Sequence, residues 1–493
     1  MTNVALAEKV LRACAAAGVA EVVLCAGARN APLVEMLSAA EGVRVYSFFE
    51  ERSASFFALG RMQATHRPVA VITTSGTAVA ELLPATIEAF HQGLPLILLT
   101  ADRPRHYRGS GAPQTIVQPG IFSCYVEKSW DVESEWNEEL AWSGRAPIHL
   151  NVCFQEPLLD AKIQPWNWLA GAFSPESATA KTVALAERRP LVIVSGLTPS
   201  QARRVQPWLE ACQRPVFIEA TSQLRGKVAG ALRVPRFDDI DFDCVIRIGA
   251  VPTLRFWRDL ESSSLPVYHF SEQPFSGLPR ARQVWPLSVL VDFDFEAWPR
   301  PPSVSEREQR LEALLERYPL SEPGWVNWLS RQLPSNAGLF LGNSLPIREW
   351  DLAAAWQSQP EISANRGVNG IDGLISTFLG WGDEDRSNWA LLGDLSALYD
   401  LSGPWAWRQR PLKDLNLVVI NNSGGKIFHR MFNNPLFENQ HDLNFADWAR
   451  MWGFDYVRMD SHGALAHGER PRVIEIVPEE RSTAAFWQEW EKR

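Results

Sequence analysis

Apolar residues in the first 160 positions alternate between two spacings. Val4–Ala17 repeats them every three to four residues and predicts a helix, and Glu21–Cys25 is a short apolar run that predicts a strand. The alternation continues with Val43–Phe48 as strand, Glu51–Gln63 as helix, Pro68–Thr74 as strand, Thr77–Gln92 as helix and Leu94–Thr100 as strand; His149–Val152 predicts one more strand. Strands and helices that alternate in this way predict a parallel sheet with helices on both faces.

The pattern loosens over Gln164–Thr182, where Pro, Ser, Ala and Gly predominate, and this stretch reads as a linker. Strand-like runs resume at Pro190–Gly196, Pro215–Glu219 and Cys244–Ile248. Pro299-Arg-Pro301-Pro302-Ser303 marks a second boundary, and a third unit runs from about Gly324 to the end. A chain of 493 residues is too long for one core. The expected fold class is α/β, with three doubly wound parallel-sheet domains at 1–165, 183–300 and 324–493.

The third unit carries the most informative residues. One apolar run, Trp389 to Gly393, ends at Asp394; another, Leu415 to Ile420, ends at Asn421-Asn422, followed by Ser423, Gly424 and Gly425. The stretch between, about Ser396 to Arg410, is long enough for a crossover helix. Ligands of open α/β sheets bind at the carboxyl ends of strands. A carboxylate, an amide oxygen and a carbonyl in a Gly turn make a hard oxygen site, suited to Mg²⁺ that shares a diphosphate. The same short sequences also serve as ordinary turns; it is their occurrence together, one βαβ unit apart, that points to a site. The first unit echoes the spacing, with strand ends at Thr74-Ser75-Gly76 and Thr100-Ala101-Asp102.

Composition narrows the possibilities. A net charge of −9 disfavours nucleic acid, so anion binding must be local. Only eight of the 48 basic residues are Lys, and Arg suits bidentate carboxylate recognition. The six Cys are scattered without a CxxC pair, which argues against zinc and disulfide frameworks and fits a reducing cytoplasm. Glu8, Lys9 and Arg12 interrupt the first apolar segment, so it reads as an amphipathic helix rather than a signal peptide. No apolar run approaches the ~20 residues of a membrane span.

Gly393-Asp394-Leu395-Ser396 followed by Asn421-Asn422 resembles the signature of the thiamin-diphosphate enzymes. Their third position is usually Gly, where this chain has Leu395. Further motifs resemble one menaquinone-pathway branch, the 2-succinyl-5-enolpyruvyl-6-hydroxy-3-cyclohexene-1-carboxylate synthases. These are Thr73-Thr74-Ser75-Gly76-Thr77, Leu99-Thr100-Ala101-Asp102-Arg103-Pro104, Gly342-Asn343-Ser344-Leu345-Pro346-Ile347-Arg348 and Asn365-Arg366-Gly367-Val368-Asn369-Gly370-Ile371-Asp372-Gly373. The motifs span the first and third units, roughly two thirds of the chain, and the middle unit matches loosely.

The resemblance implies a thiamin-diphosphate decarboxylase-like fold and a cytoplasmic homodimer or dimer of dimers, with active sites at the subunit interface. It implies thiamin diphosphate with Mg²⁺ or Mn²⁺, decarboxylation of 2-oxoglutarate and 1,4-addition of the product to isochorismate. Asp394, the Asn422 amide oxygen and the Gly424 carbonyl would hold the metal. Ser75, Gly76, Gly393, Leu395, Ser396, Gly425 and Ile427 would contact the cofactor. Glu51, preferred to Glu50, would share a proton with the aminopyrimidine ring, and a poorly solvated Glu suits that role. Ile371 would be the apolar wedge that bends the cofactor. Arg29, Arg103, Arg348 and Arg366 would clamp carboxylates, Gln114 and Ser344 would add neutral hydrogen bonds, and Ile427 and Phe428 would wall the substrate pocket. His91 and His106 take no role, and Asn433–Asn444 would be a flap or a surface loop.

Three further departures stand out. Arg255 is the only basic residue where the family has an adjacent pair, because Phe256 replaces the second. Ala28 lacks a hydroxyl that the family's first loop carries, and Pro113 replaces a polar residue before Gln114. The rival readings are another thiamin-diphosphate 2-oxo acid decarboxylase or carboligase and a non-catalytic binding protein on the same scaffold. A nicotinamide-dependent dehydrogenase is disfavoured, since no GxGxxG follows a strand.

Overall fold

The computed structural model describes residues 1–136, 138–176, 189–212, 214–290, 306–432, 434–465 and 470–492. The expected boundary at Pro299–Ser303 and the linker beyond residue 176 lie outside the described residues, as does Asn433 of the expected flap. By its contacts the chain divides into two compact units. The first comprises Met1–Ser177, Gly367–Gly382 and Tyr399–Leu412; the second comprises Ala178–Arg366, Asp383–Leu398 and Lys413–Arg493.

The first unit holds a six-stranded sheet in the spatial order Arg44–Phe48, Glu21–Cys25, Val69–Thr73, Leu96–Asp102, Ile148–Cys153, Lys128–Val132. Every pairing in it is parallel. The helix Asn3–Ala16 buries Val4, Leu6, Ala7, Val10, Leu11 and Cys14 in the core beneath this sheet. That spacing of three to four residues is the one that predicted the helix.

The second unit holds two sheets, both parallel throughout. The five-stranded sheet runs Val216–Ile218, Pro190–Val194, Cys244–Ile248, Val267–Phe270, Val284–Trp285. The six-stranded sheet runs Glu361–Ser363, Gly338–Leu341, Asn388–Gly393, Leu415–Ile420, Arg472–Ile476, Asp455–Met459. Numbered along the chain, both six-stranded sheets have the order 2-1-3-4-6-5. The spacing echo between the two ends of the sequence is thus a shared topology. In each sheet the order reverses between strands 1 and 3, the place where open α/β sheets bind ligands at the carboxyl ends of the strands. Gly27–Asn30 and Thr74–Gly76 flank that point in one sheet; Gly342–Ser344 and Asp394 flank it in the other.

Local departures from the sequence expectations have identifiable causes. Thr77–Gln92 is two helices, Thr77–Ala80 and Leu83–Gln92. Pro84 lacks an N–H and cannot continue a helix from the preceding turn, but it fits the first turn of a new one. The expected crossover helix within Ser396–Arg410 is likewise split, into Asp394–Tyr399 and Trp405–Gln409, around Gly403-Pro404. The expected linker contains a two-residue strand, Trp166–Asn167, paired with Ala40–Glu41. Its indoles anchor it: Trp166 donates to the Met36 carbonyl at 2.9 Å and Trp168 to the Val19 carbonyl at 2.7 Å. Among the described residues, no helix is long and apolar enough to cross a membrane.

Candidate functional site

In the second unit, two neighbouring strand ends converge on Asp394. It opens the helix Asp394–Tyr399 and is 2% exposed. Its Oδ1 accepts the Leu395 N–H at 2.6 Å and its Oδ2 accepts the Gly424 N–H at 2.9 Å. His441 Nε2 lies 3.3 Å from the same Oδ2. Burial raises the Asp394 pKa above the usual carboxylate range, while the Gly424 and Leu395 N–H groups and His441 oppose that rise. Leu395 acts through its backbone, and it is not among the residues with positive φ. The glycine missing from the motif therefore leaves no strained conformation behind.

The two asparagines face different partners. Asn421 donates to the Leu443 carbonyl at 2.9 Å and to Glu475 Oε1 at 2.8 Å, so it braces the sheet. Asn422 donates to Glu322 Oε1 at 2.8 Å, and its own Oδ1 is buried without a partner. Gly424 has φ +136°, and a Cβ there would collide with the Glu438 carbonyl oxygen. A carboxylate, an orphaned amide oxygen and a tightly turned glycine backbone fit a hard divalent cation that draws its remaining ligands from phosphate. Among the described residues, no group of three or more His, Cys, Asp and Glu could hold a metal by itself.

Around this point, Ser396 is buried, and a Cβ on Gly393 would meet nothing within 4 Å. The Gly425 N–H reaches the Glu438 carbonyl at 2.5 Å. Ile427 and Phe428 lie in the turn Lys426–Phe428, anchored by Lys426 Nζ to Glu438 at 2.9 Å. Phe428 is 36% exposed and belongs to an aromatic cluster with Phe432 and Phe437.

The strand end at Gly342 gathers three of the expected substrate residues. Ser344 has φ +73°, and its carbonyl accepts Arg348 Nη1 at 2.5 Å. Arg366 Nη1 donates to Asn343 Oδ1 at 2.7 Å. Two buried acids sit close by: burial pushes Glu219 up to about 8 and Asp351 up to about 6, and Arg366 opposes both shifts. Arg348 is lowered by burial and by the Arg258 charge, and Glu219 and Asp351 act against this. Arg255 stands differently: its side chain is 83% exposed and pairs with Asp259 at 3.7 Å on its own helix. Phe256 stacks on Phe237 at 4.1 Å, so it is a packing residue of the middle sheet.

In the first unit, Glu50 and Glu51 are sharply distinguished. Glu50 caps the helix Glu51–Thr65 by accepting the Arg52 and Ser53 N–H groups, at 2.9 and 3.1 Å, and it also accepts Ser402 Oγ at 2.9 Å. Its carboxylate is committed to structure. Glu51 is half-buried, and desolvation raises its pKa; its own backbone N–H opposes that rise, and the Glu50 and Glu81 charges add to it. Ser75 is buried, and Gly76 has φ +85° with Gln114 packed beside it. Gln118 Oε1 accepts the Gly76 N–H at 3.0 Å, and its amide donates to Ala101 and Asn151. Arg103 Nε donates to the Pro113 carbonyl at 3.2 Å. Arg29 is buried, pairing with Glu156 at 3.0 Å and donating to the Phe154 carbonyl at 3.2 Å. Ile371 follows a loop whose Gly367 and Val368 N–H groups are held by Glu88 at 2.6 and 2.8 Å.

Several residues at these sites escaped the sequence reading: Glu322, Glu349 and His441 near Asp394, Arg258 near Arg348, and Gln118 under Gly76. Glu349 hydrogen-bonds Glu322 within the core, and burial raises both pKa values. None of the five lies in a recognisable motif.

The chain is similar to known proteins over its length. Residues 4–121 match the family described as thiamine pyrophosphate enzyme, N-terminal TPP binding domain. The 2-succinyl-5-enolpyruvyl-6-hydroxy-3-cyclohexene-1-carboxylate synthase of Bdellovibrio bacteriovorus is 43% identical over 100% of this chain and 99% of its own. The synthases of the same name from Akkermansia muciniphila and Halobacterium salinarum are 34% and 32% identical, covering 97% and 91% of this chain and 96% and 90% of theirs. With matches of this extent over both ends and the middle sheet, the chain belongs to the 2-succinyl-5-enolpyruvyl-6-hydroxy-3-cyclohexene-1-carboxylate synthase family of thiamin-diphosphate enzymes.

Proposed function

We propose that the chain decarboxylates 2-oxoglutarate and adds the resulting four-carbon unit to isochorismate in a 1,4 sense. The product is 2-succinyl-5-enolpyruvyl-6-hydroxy-3-cyclohexene-1-carboxylate, and CO₂ is released. The observation that carries this reading is the oxygen cradle of Asp394, Asn422 and Gly424 at two adjacent strand ends. Bound thiamin diphosphate supplies the electron sink that decarboxylation of a 2-oxo acid requires.

The chain's own residues bind, orient and shield. Asp394, the Asn422 side-chain oxygen and the Gly424 carbonyl hold Mg²⁺ or Mn²⁺. Ser75, Gly76, Gly393, Leu395, Ser396, Gly425 and Ile427 would contact the cofactor, and Ile371 would be the apolar side chain packed against it. Glu51 holds a proton against the aminopyrimidine, a role that its desolvated carboxyl suits and that Glu50, tied up as a cap, does not. Both substrates are dicarboxylates. Arg29, Arg103, Arg348 and Arg366 neutralise and orient them with Gln114 and Ser344, and proximity supplies much of the rate. Arg255, exposed on its short helix, contributes a further positive charge. Ile427 and Phe428 exclude water. The assembly is a homodimer or dimer of dimers, with active sites at subunit interfaces.

The test is product analysis by mass spectrometry with 2-oxoglutarate, isochorismate, thiamin diphosphate and Mg²⁺ supplied together. The succinylated adduct is expected, with CO₂ released from 2-oxoglutarate and little from pyruvate. Release from pyruvate alone, or no adduct, would overturn the reading.

A further inference from the structure

An amide side chain is nearly symmetrical in shape, so an asparagine that must offer its oxygen to a metal needs something to define which end faces inward. Asn422 has such a partner. Its Nδ2 donates to Glu322 Oε1 at 2.8 Å, and its Oδ1 is buried with no partner. A carboxyl oxygen that accepts from the NH₂ group fixes which way the amide faces. Glu322 therefore takes the NH₂ end and leaves the oxygen on the opposite side, free for a cation.

Glu322 is itself firmly placed. It is 4% exposed and opens the helix Glu322–Gln332, with Ser321 as the cap. Its backbone N–H donates to Thr483 Oγ1 at 3.1 Å. Its side chain also interacts with that of Glu349, which is 2% exposed and whose Oε1 has no hydrogen-bond partner. A second buried carboxyl beside the first is costly unless hydrogen bonding offsets its desolvation. Here the chain of contacts runs Glu349, Glu322, Asn422. It ends on the amide oxygen that, with Asp394 and Gly424, forms the cradle.

We propose that Glu322 is a positioning residue for metal binding: it sets the orientation of the Asn422 amide, with Glu349 holding Glu322 in place. This rests on the reading that the Asn422 side-chain oxygen is a metal ligand. Partners that orient metal ligands typically change metal affinity by about 10–100-fold when removed.

The test measures Mn²⁺ binding to the full chain, with thiamin diphosphate supplied, by the electron paramagnetic resonance signal of free Mn²⁺. Glu322→Leu should weaken binding by about 10–100-fold. Glu322→Gln can present either an oxygen or an NH₂ group to Asn422, so it should weaken binding by an intermediate factor of about 3–10. Circular dichroism reports whether each variant folds; if Glu322→Leu does not, Glu322→Gln decides. Affinity within twofold of wild type in the folded variants, with Asn422→Ala clearly weakened, overturns the proposal and leaves the cradle intact. Unchanged affinity in Asn422→Ala instead defeats the assignment of Asn422 as a ligand.

Discussion

Gly60 and Gly380 meet where the helix Glu51–Thr65 crosses Leu374–Trp381: a Cβ on Gly380 would lie 3.1 Å from the Gly60 Cα and collide with the Phe57 carbonyl oxygen. A Cβ on Gly60 would in turn collide with the Thr377 carbonyl oxygen. Two backbones in contact leave no flexible side chain to move aside. The same crossing fixes the helix that begins at Glu51. Gly60→Ala should therefore destabilise the protein by about 3 kcal/mol, well beyond the roughly 1 kcal/mol that alanine gains in helix propensity. Urea unfolding checks this, and a stabilised variant would contradict the packing.

Glu51→Gln keeps the size and hydrogen-bonding capacity of the side chain and removes its ability to exchange a proton. Turnover should fall by at least about 100-fold, within the range associated with general acid–base groups. Binding of thiamin diphosphate, followed by quenching of intrinsic fluorescence, should stay close to wild type. Glu50→Gln should behave differently, losing helix-cap stability before it loses chemistry, because Glu50 accepts the Arg52 and Ser53 N–H groups. Equal turnover in wild type and Glu51→Gln would remove Glu51 from the proton path.

How much of this was legible in the chain depends on whether a residue's role is local. Asp394 and Asn422 end apolar runs beside turn residues, so their place at strand tips could be read directly. Glu51 was legible as a helix start and was preferred to Glu50 by family resemblance; the local cap that occupies Glu50 and its contact with Ser402, 352 positions away, add the physical reason. Glu322 sits in Ser321-Glu322-Pro323, which reads as an ordinary helix start, and its contact with Asn422 spans 100 residues. In sequence, Arg255 and Phe256 read as an interrupted basic pair. The structure shows why Phe is tolerated: it stacks on Phe237 against the core of the middle sheet. The short strand at Trp166–Asn167 lies in a stretch whose Pro, Ser, Ala and Gly content reads as a linker, and only the two buried indole N–H groups reveal what holds it.

Gly424→Ala tests the cradle from the backbone side. Alanine at φ +136° is strained, and its Cβ would collide with the Glu438 carbonyl oxygen. The turn that brings the Gly424 N–H to Asp394 must then open. Mg²⁺-dependent binding of thiamin diphosphate should weaken by at least about tenfold, the scale expected when a metal site's supporting contacts are lost. Gly463→Ala is the control: it lies outside the cradle and its Cβ would meet nothing within 4 Å, so binding should change little. Equal effects of the two substitutions would mean that the turn geometry is not what the site depends on.

Asp131 carries a pH-dependent share of stability. It lies on the edge strand Lys128–Val132 and accepts Arg108 in bidentate fashion, at 2.6 and 2.8 Å, together with Asn151 at 2.9 Å and Arg105 at 2.8 Å. Burial alone would raise its pKa, but the Arg108 and Asn151 hydrogen bonds and the two arginine charges outweigh it and bring it down from 3.8 to about 2. The folded value is below the unfolded one. The stabilisation is therefore complete above pH ~4 and is lost as pH falls toward 2. A shift of this size corresponds to about 2 kcal/mol. Asp131→Asn should cost that amount at pH 7, and the gap between variant and wild type should narrow as the pH drops from 4 to 3. Urea unfolding across that range checks the sign; a gap that stays constant from pH 7 to pH 3 would show that the ionised carboxylate is not the source.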